Sequence, residues 1–383
     1  MNTFSFVGQI VPIKDSEKFH PIERKNFESG WTNTVCRFNV VSGTNRIMCM
    51  VQGGKWADDS KNSVKTVGQK PEGGGKRELI TIPWDNRFDK DQIDKVAGFR
   101  HCVVDLDDSK KRYKLRNLVD AFKKKNDVSE LVEETGCDTI EQAKEALTKS
   151  ENRRHVFITV WDFAEYMTKV VTSEKIKGKT FRISGNQEVQ YSNGNFYRNY
   201  VVNRVELIDA KPSTSMIMDF YFADDCVKYN DGDEVAYING WSTYYDSGLK
   251  KNGFFPITIA SRGGEKEVNL LEKKLSVGNA EIANIGLVVD VIDGAEMTMI
   301  TMDDLDETTR TEIEEGWLDF KEVVREMGGN KIGDRIAELR FSGLNPRKRS
   351  VEETTYSVED MKPAVMEAKN ENTNIFDEDD EDI

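Results

Sequence analysis

The stretch from 178 to 260 decides the reading of the fold. It runs GKTFRISG (178–185), QEVQYSNGNFYRNYVVNRVELIDA (187–210), TSMIMDFYFA (214–223) and DEVAYINGWSTYYDSGLKKNGFFPITIA (233–260). Segments rich in Val, Ile, Phe and Tyr alternate apolar with polar residues, and Gly/Asn clusters separate them, which is the pattern of half-buried strands. Ser192-Asn193-Gly194-Asn195 marks a hairpin turn, because Asn-Gly accepts the positive φ values that tight turns need. Short strands at this regular spacing predict a small barrel or sandwich.

Toward the N-terminus, TFSFVGQIVPI (3–13), NTVCRFNVVS (33–42) and NRIMCMVQ (45–52) continue the pattern, with Gly43-Thr44 as a turn. Residues 53–77 read as a mobile Gly- and Lys-rich loop, and LITIPW (79–84) as a short strand. Between 109 and 150 the period changes. Leu115, Leu118, Val119 and Phe122 recur at helical spacing, and Asp127 and Asp138 open helices. Strand character returns at 155–161, followed by a short helix at 162–171. Residues 282–302 form a further strand pair about Asp293-Gly294, and 303–328 are helical from Asp306 to Gly328. The FSFVGQI strand (4–10) and the FRISG strand (181–185), each followed by a hairpin, echo one another. The expected fold is mainly β with helical insertions, built as two OB-like barrels. The N-terminal OB-like domain is 1–108, with its basic loop at 53–77. A helical connector follows at 109–172, the second OB-like domain at 173–302, a C-terminal helical segment at 303–345, and a disordered acidic tail at 346–383.

The 383 residues carry a net charge of -14. From Ser350 to Ile383 there are twelve Asp/Glu against two Lys, so the other 349 residues hold 52 basic and 56 acidic groups. Most of the acidity is therefore separable, and local basic stretches act over the roughly 10 Å that salt leaves unscreened. Five cysteines without a CxxC pair, and only three histidines, predict neither a disulfide framework nor a zinc site and fit a reducing cytoplasm. No apolar run reaches the roughly 18 residues of a membrane span, and the N-terminus reads as a strand, not a signal peptide. The phosphate-loop, dinucleotide, GxSxG and HExxH patterns are absent, so no enzyme, cofactor or metal is expected. Acid clusters at Asp105, Asp107, Asp108 and at Asp303, Asp304, Asp306 leave a two-metal nuclease as a minor alternative; as strand ends and helix starts they have a simpler reading.

Sequence-tolerant binding of single strands needs cations that track phosphates and aromatic faces that stack bases. The 175–204 region interleaves Lys179, Arg182, Arg198 and Arg204 with Phe181, Tyr191, Phe196, Tyr197 and Tyr200. The 237–255 region adds Trp241, Tyr244 and Tyr245 with Lys250 and Lys251 at a hairpin tip. Near the N-terminus, Trp31, Arg37, Phe38 and Arg46 stand beside Lys55, Trp56, Lys76 and Arg77 of the basic loop. Residues 110–125 hold eight Lys/Arg against Asp120. Each ring is equally suited to a core and each lysine to a solvated face. The density of both is what favours a nucleic-acid surface. Phe376, Asp377, Glu378, Asp379, Asp380, Glu381 and Asp382 place a polyanion on a tether, which can compete for a basic groove and recruit basic partners.

With FRISG, NFYRNYVVNRVEL and GWSTYYDSGLKKNGFFPITI followed by that acidic terminus, the chain resembles the single-stranded-DNA-binding proteins of bacteria and tailed phages. The likeness covers about 80 residues in motif. It implies a cytoplasmic protein that coats displaced strands during replication and recombination and contacts a polymerase, helicase or primase. The terminus departs from the bacterial pattern in lacking a final Pro-Phe. An RNA-binding protein and a structural or scaffold protein are the rival readings, since nothing here reads a 2′-hydroxyl.

Overall fold

The computed structural model describes residues 2–362 apart from 193, 231–234, 247–249 and 329. The chain starts with β1 (Thr3–Pro12), β2 (Ile22–Asn26), β3 (Trp31–Ser42) and β4 (Asn45–Trp56). β3 and β4 form a long hairpin from Trp31↔Trp56 to Ser42↔Asn45, and Gly43 takes φ 61° in its turn. The 53–77 segment is not one loop. β4 runs on through Trp56, and β5 (Ser63–Val67) pairs with β6 (Leu79–Pro83) in a separate two-stranded ribbon. Val64 and Ile82 close a small core there with Trp84, Val96 and Ile158. These alternating apolar residues are too few to register as a period among the glycines and lysines.

After α1 (Lys90–Lys95) and β7 (Cys102–Asp105) come α2 (Ser109–Lys124), α3 (Ser129–Thr135) and α4 (Ile140–Glu151), the expected helical insertion. It has its own core of Leu115, Leu118, Val119, Cys137 and Ala143, and a Thr139/Gln142 capping box opens α4. β8 (Arg154–Phe157) and α5 (Val160–Val171) lead into β9 (Thr180–Ser192) and β10 (Asn195–Leu207), a hairpin that pairs Ser192 with Asn195. β11 (Ser213–Phe222), β12 (Val227–Asn230), β13 (Val235–Asp246), β14 (Lys251–Ser261) and α6 (Gly264–Lys274) follow. The chain continues with β15 (Ala283–Met299), α7 (Glu307–Glu314), α8 (Phe320–Glu326), β16 (Asn330–Leu344) and β17 (Glu352–Glu353).

The expectation of two OB-like barrels is overturned. Fifteen strands from both halves of the chain hydrogen-bond in one mixed sheet. Additional pairings turn this sheet back on itself: β1, β3, β4, β10 and β9 form one closed circuit, and β11, β13, β14, β16 and β15 another. The circuits are fused. Thr3–Val7 of β1 pair with Ser213–Ile217 of β11, and Gly294 of β15 pairs with Asn45 of β4. A single core follows, with Phe6, Phe38, Phe181, Phe220, Phe222 and Phe255 all fully buried. Each such ring contributes about 1.5–3 kcal/mol through burial, and the cluster they belong to draws residues from both halves of the chain.

Two sequence signals were misleading for identifiable reasons. The echoing FSFVGQI and FRISG segments do not begin separate domains; they are neighbours, with Phe6 opposite Ile183 and Gly8 opposite Phe181. Asp293-Gly294 is no turn, because β15 runs straight through it. A Cβ at Gly294 would lie 2.2 Å from the Thr44 carbonyl oxygen, so glycine is there to admit the β3–β4 turn. Residues 346–362, expected to belong to the disordered tail, are tied to the sheet. Glu352–Glu353 pair with Ala283–Asn284, Lys348 bonds Asp219 at 3.0 Å, and Met361 is buried against Phe254 and Ile282. Among the described residues, no helix is long and apolar enough to cross a membrane.

Candidate nucleic-acid interface

β4 and β10 run parallel where Cys49 meets Tyr200 and Met50 meets Val201. Beside this contact the sheet folds into an open groove of about 590 Å³. Its walls are Ile47 and Met48 of β4, Arg198 and Tyr200 of β10, Pro256–Thr258 of β14, Val291–Asp293 of β15 and Ala337–Leu339 of β16. Arg46 is exposed on the same face of β4 as Met48, two residues away, because strand side chains alternate. A second recess of about 440 Å³ adjoins the first, sharing Pro256, and is lined by Tyr191, Gly194, Phe196, Trp241, Val358, Met361 and Lys362.

Arg198 links the two. Its guanidinium donates to the Pro256 carbonyl at 3.3 Å and lies 5.5 Å from the Phe255 ring centre. Arg198 is exposed on β10, and the protein packed around it lowers its pKa below the ordinary arginine value through partial desolvation. Among the described residues no carboxylate pairs with it. A cation held this way gains most from an incoming anion. The acids on the groove wall are already engaged: Asp293 with Arg335 at 2.7 Å, and Glu338 with Arg262 at 2.9 Å and Arg340 at 2.8 Å. Desolvation pushes the Glu338 carboxyl up, but hydrogen bonds from both arginines outweigh it and hold the group below its ordinary value. Sequence reasoning missed Arg262, Arg335 and Arg340. Their shared location appears only once β14, β15 and β16 are side by side.

The expected site residues do not form one surface. Tyr191, Phe196 and Trp241 line the recess, half-buried, and Tyr191 and Phe196 pack at 4.7 Å between centres. Tyr197 is 50% exposed but, one residue on from Phe196 along β10, it points to the opposite face of the strand, and Tyr245, Lys250 and Lys251 are exposed on the β13–β14 hairpin. Tyr200 reaches the groove, but its ring sits edge-on to Phe4 and Phe6, and burial pushes its hydroxyl pKa up to about 12. Phe38, Phe181 and Tyr244 are core residues and present no face to a base, which corrects their assignment. Lys179, Arg182 and Arg204 stand at the other end of the β9–β10 hairpin, with Arg204 bonded to Glu206 at 3.2 Å. Arg37 is engaged with the His20 carbonyl and Glu23. In α2, Arg112 forms a buried pair with Asp105, while Lys114, Arg116 and Lys123 pair with Glu134, Glu151 and Asp120. Half of that basic segment is thereby neutralised. Phe376, Asp377, Glu378, Asp379, Asp380, Glu381 and Asp382 lie outside the described residues.

Trp31, Lys55 and Trp56 belong to a different cluster. Trp56 is seven residues along β4 from Cys49, about 23 Å at the usual strand rise. Trp31 and Trp56 pack edge-to-face at 5.2 Å, and Lys55 lies 5.9 and 5.8 Å from the Trp84 and Trp161 rings. Arg87 stacks 4.0 Å over Trp84 and pairs with Asp162. Two glycines make this packing possible: a Cβ at Gly54 would meet the Trp31 ring at 2.4 Å, and one at Gly53 the α5 backbone at 2.5 Å. Lys76 and Arg77 are carried on the β5–β6 lobe beyond it.

The acid clusters are structural. Asp108 accepts from the Lys110 backbone, Asp105 binds Arg112, and Asp304 and Asp306 cap helical turns. Among the described residues no group of three His, Cys, Asp or Glu could hold a metal. Neither protein-family models nor curated proteins yield a match to this chain.

Proposed function

We propose that the chain binds single-stranded DNA without sequence preference, and is not an enzyme, laying the strand along the groove at β4, β10 and β14. The observation that carries this is the juxtaposition of Arg198, exposed at the groove and without a carboxylate partner among the described residues, with the Tyr191–Phe196–Trp241 recess. A phosphate at Arg198 puts the adjacent bases within reach of those rings. Arg46, Lys250 and Lys251 extend the cationic track, and stacking on aromatic faces is indifferent to base identity. The acidic terminus departs from Lys362, which itself lines the recess. From that root, a polyanion competes with the strand for Arg198 and, once displaced, is available to basic replication proteins.

The test is a titration of fluorescent dT oligomers against the full chain and a chain ending at Lys362. Both bind, both weaken with salt, and the shortened chain binds more tightly. Absence of binding below micromolar concentrations at low salt overturns the reading. Equal affinity of the two chains overturns the competition by the tail. A dT/rU pair of oligomers separates DNA from RNA preference.

A further inference from the structure

Residues 300–328, between β15 and β16, fold as two short helices in which neither α7 nor α8 buries a single residue. Trp317 is 78% exposed, and Leu318 and Met327 are exposed with it. Trp317 and Leu318 lie in the turn between the helices and Met327 at the end of α8, and exposed large apolar side chains grouped on one short segment mark a contact surface. Ten Asp/Glu against three Lys/Arg surround them, so the occupant must offer apolar side chains among cations.

This chain carries such a surface itself. On the β5–β6 lobe Leu79 is 86% and Phe99 63% exposed, and the Phe99 ring is flanked by Arg77 at 5.4 Å and Arg100 at 5.5 Å. The two surfaces cannot meet within one molecule. β4 begins at Asn45, which pairs with Gly294 of β15, and ends at Trp56, where the lobe starts. That is roughly 36 Å of strand. β15 is antiparallel to β4, so beyond Gly294 it carries the helical pair away from Trp56. The lobe also returns to the sheet at the Trp56 end, because β7 pairs with β10 at Arg204–Glu206, past the Tyr200–Cys49 contact.

We infer that copies of this protein associate head to tail, the acidic α7–α8 face of one seating on the Arg77–Phe99–Arg100 face of the next. Complementary patches at opposite ends make a heterologous contact, which builds open chains or rings of several copies and does not stop at a dimer. The patches are small, so association is weak in free solution and strengthens where copies are held side by side.

Sedimentation velocity on the full chain without nucleic acid tests this independently of the DNA reading. The weight-average sedimentation coefficient rises with concentration, without a plateau at the dimer, and the rise disappears at high salt. Trp317→Ser with Leu318→Ser abolishes it, as does Phe99→Ser with Arg100→Glu. All four positions are exposed, so both variants keep the wild-type melting temperature. An equimolar mixture of the two variants retains one intact face on each partner and gives dimers only. The inference fails if the wild type stays monomeric up to about 1 mM, where even weak contacts register. It fails equally if the wild type stops at a closed dimer, or if the mixed variants do not pair.

Discussion

Phe181 and Tyr197 belong to one hairpin, yet Phe181 is wholly buried and Tyr197 half exposed. Substitutions in this hairpin should therefore separate folding from binding. Phe181→Ala removes a core ring and lowers stability by about 3–5 kcal/mol, while leaving affinity per folded molecule unchanged. Tyr197→Ala, on the face of β10 opposite the recess, leaves both urea unfolding and dT binding unchanged, whereas Tyr191→Ala in the recess weakens dT binding by the roughly 1–3 kcal/mol of one stacked base. Arg198→Ala reduces the slope of log affinity against log salt by about one. Glu338 sets a pH dependence at the same scale. Its folded-state pKa is held below the ordinary 4.5, so its contribution to stability is present above that value and is lost as pH falls through the folded pKa. The urea midpoint should drop between about pH 6 and about pH 3, and drop less in Glu338→Gln.

At the element scale, β4 does the most to arrange the molecule, because it touches the groove with Met48, the tryptophan cluster with Trp56 and β15 with Asn45. Gly54→Ala should destabilise the chain by about 1–3 kcal/mol, as the Trp31 ring has to leave its seat, and shift the tryptophan emission. Calorimetry and fluorescence on the same sample check both. Strands and hairpins were legible here because side-chain alternation and turn residues are local: Gly43 and Ser192–Asn195 sit where the pattern puts them. Helix starts were legible to within a residue for the same reason: Asp306 caps α7, while α3 and α4 start from Val128 and Thr139, one residue after the expected Asp127 and Asp138. Pairing between distant strands was not. Nothing in FSFVGQI announces that it bonds FRISG on one side and Ser213–Ile217 on the other, and Asp293-Gly294 carries a turn's residues while serving a close approach. Of the candidate binding residues, type was readable but facing was not, so Tyr191, Phe196 and Trp241 were picked out together with the buried Phe38, Phe181 and Tyr244. Arg262 and Arg335 lacked any aromatic neighbour in sequence to draw attention, and Arg340 had only Phe341.

At the scale of the whole molecule, one sheet and one core join the halves, and the chain should unfold cooperatively with its thiols protected. All five cysteines are buried and free, and burial pushes the Cys36, Cys102 and Cys226 thiols up to about 12. Thiolates are then scarce at neutral pH. An aromatic disulfide reagent should find essentially no reactive cysteine in the native protein and all five in strong denaturant; prompt native labelling would show that the sheet opens locally. The same continuity of the sheet brings β4, β10 and β14 to one groove. Photocrosslinking of a bromodeoxyuridine-substituted dT oligomer, mapped by mass spectrometry, tests the placement of the strand most directly. Adducts at Tyr191, Phe196 and Trp241 are the predicted result. Adducts confined to the Trp31–Trp56–Trp84 cluster, or spread over the surface without enrichment at the groove, would contradict it.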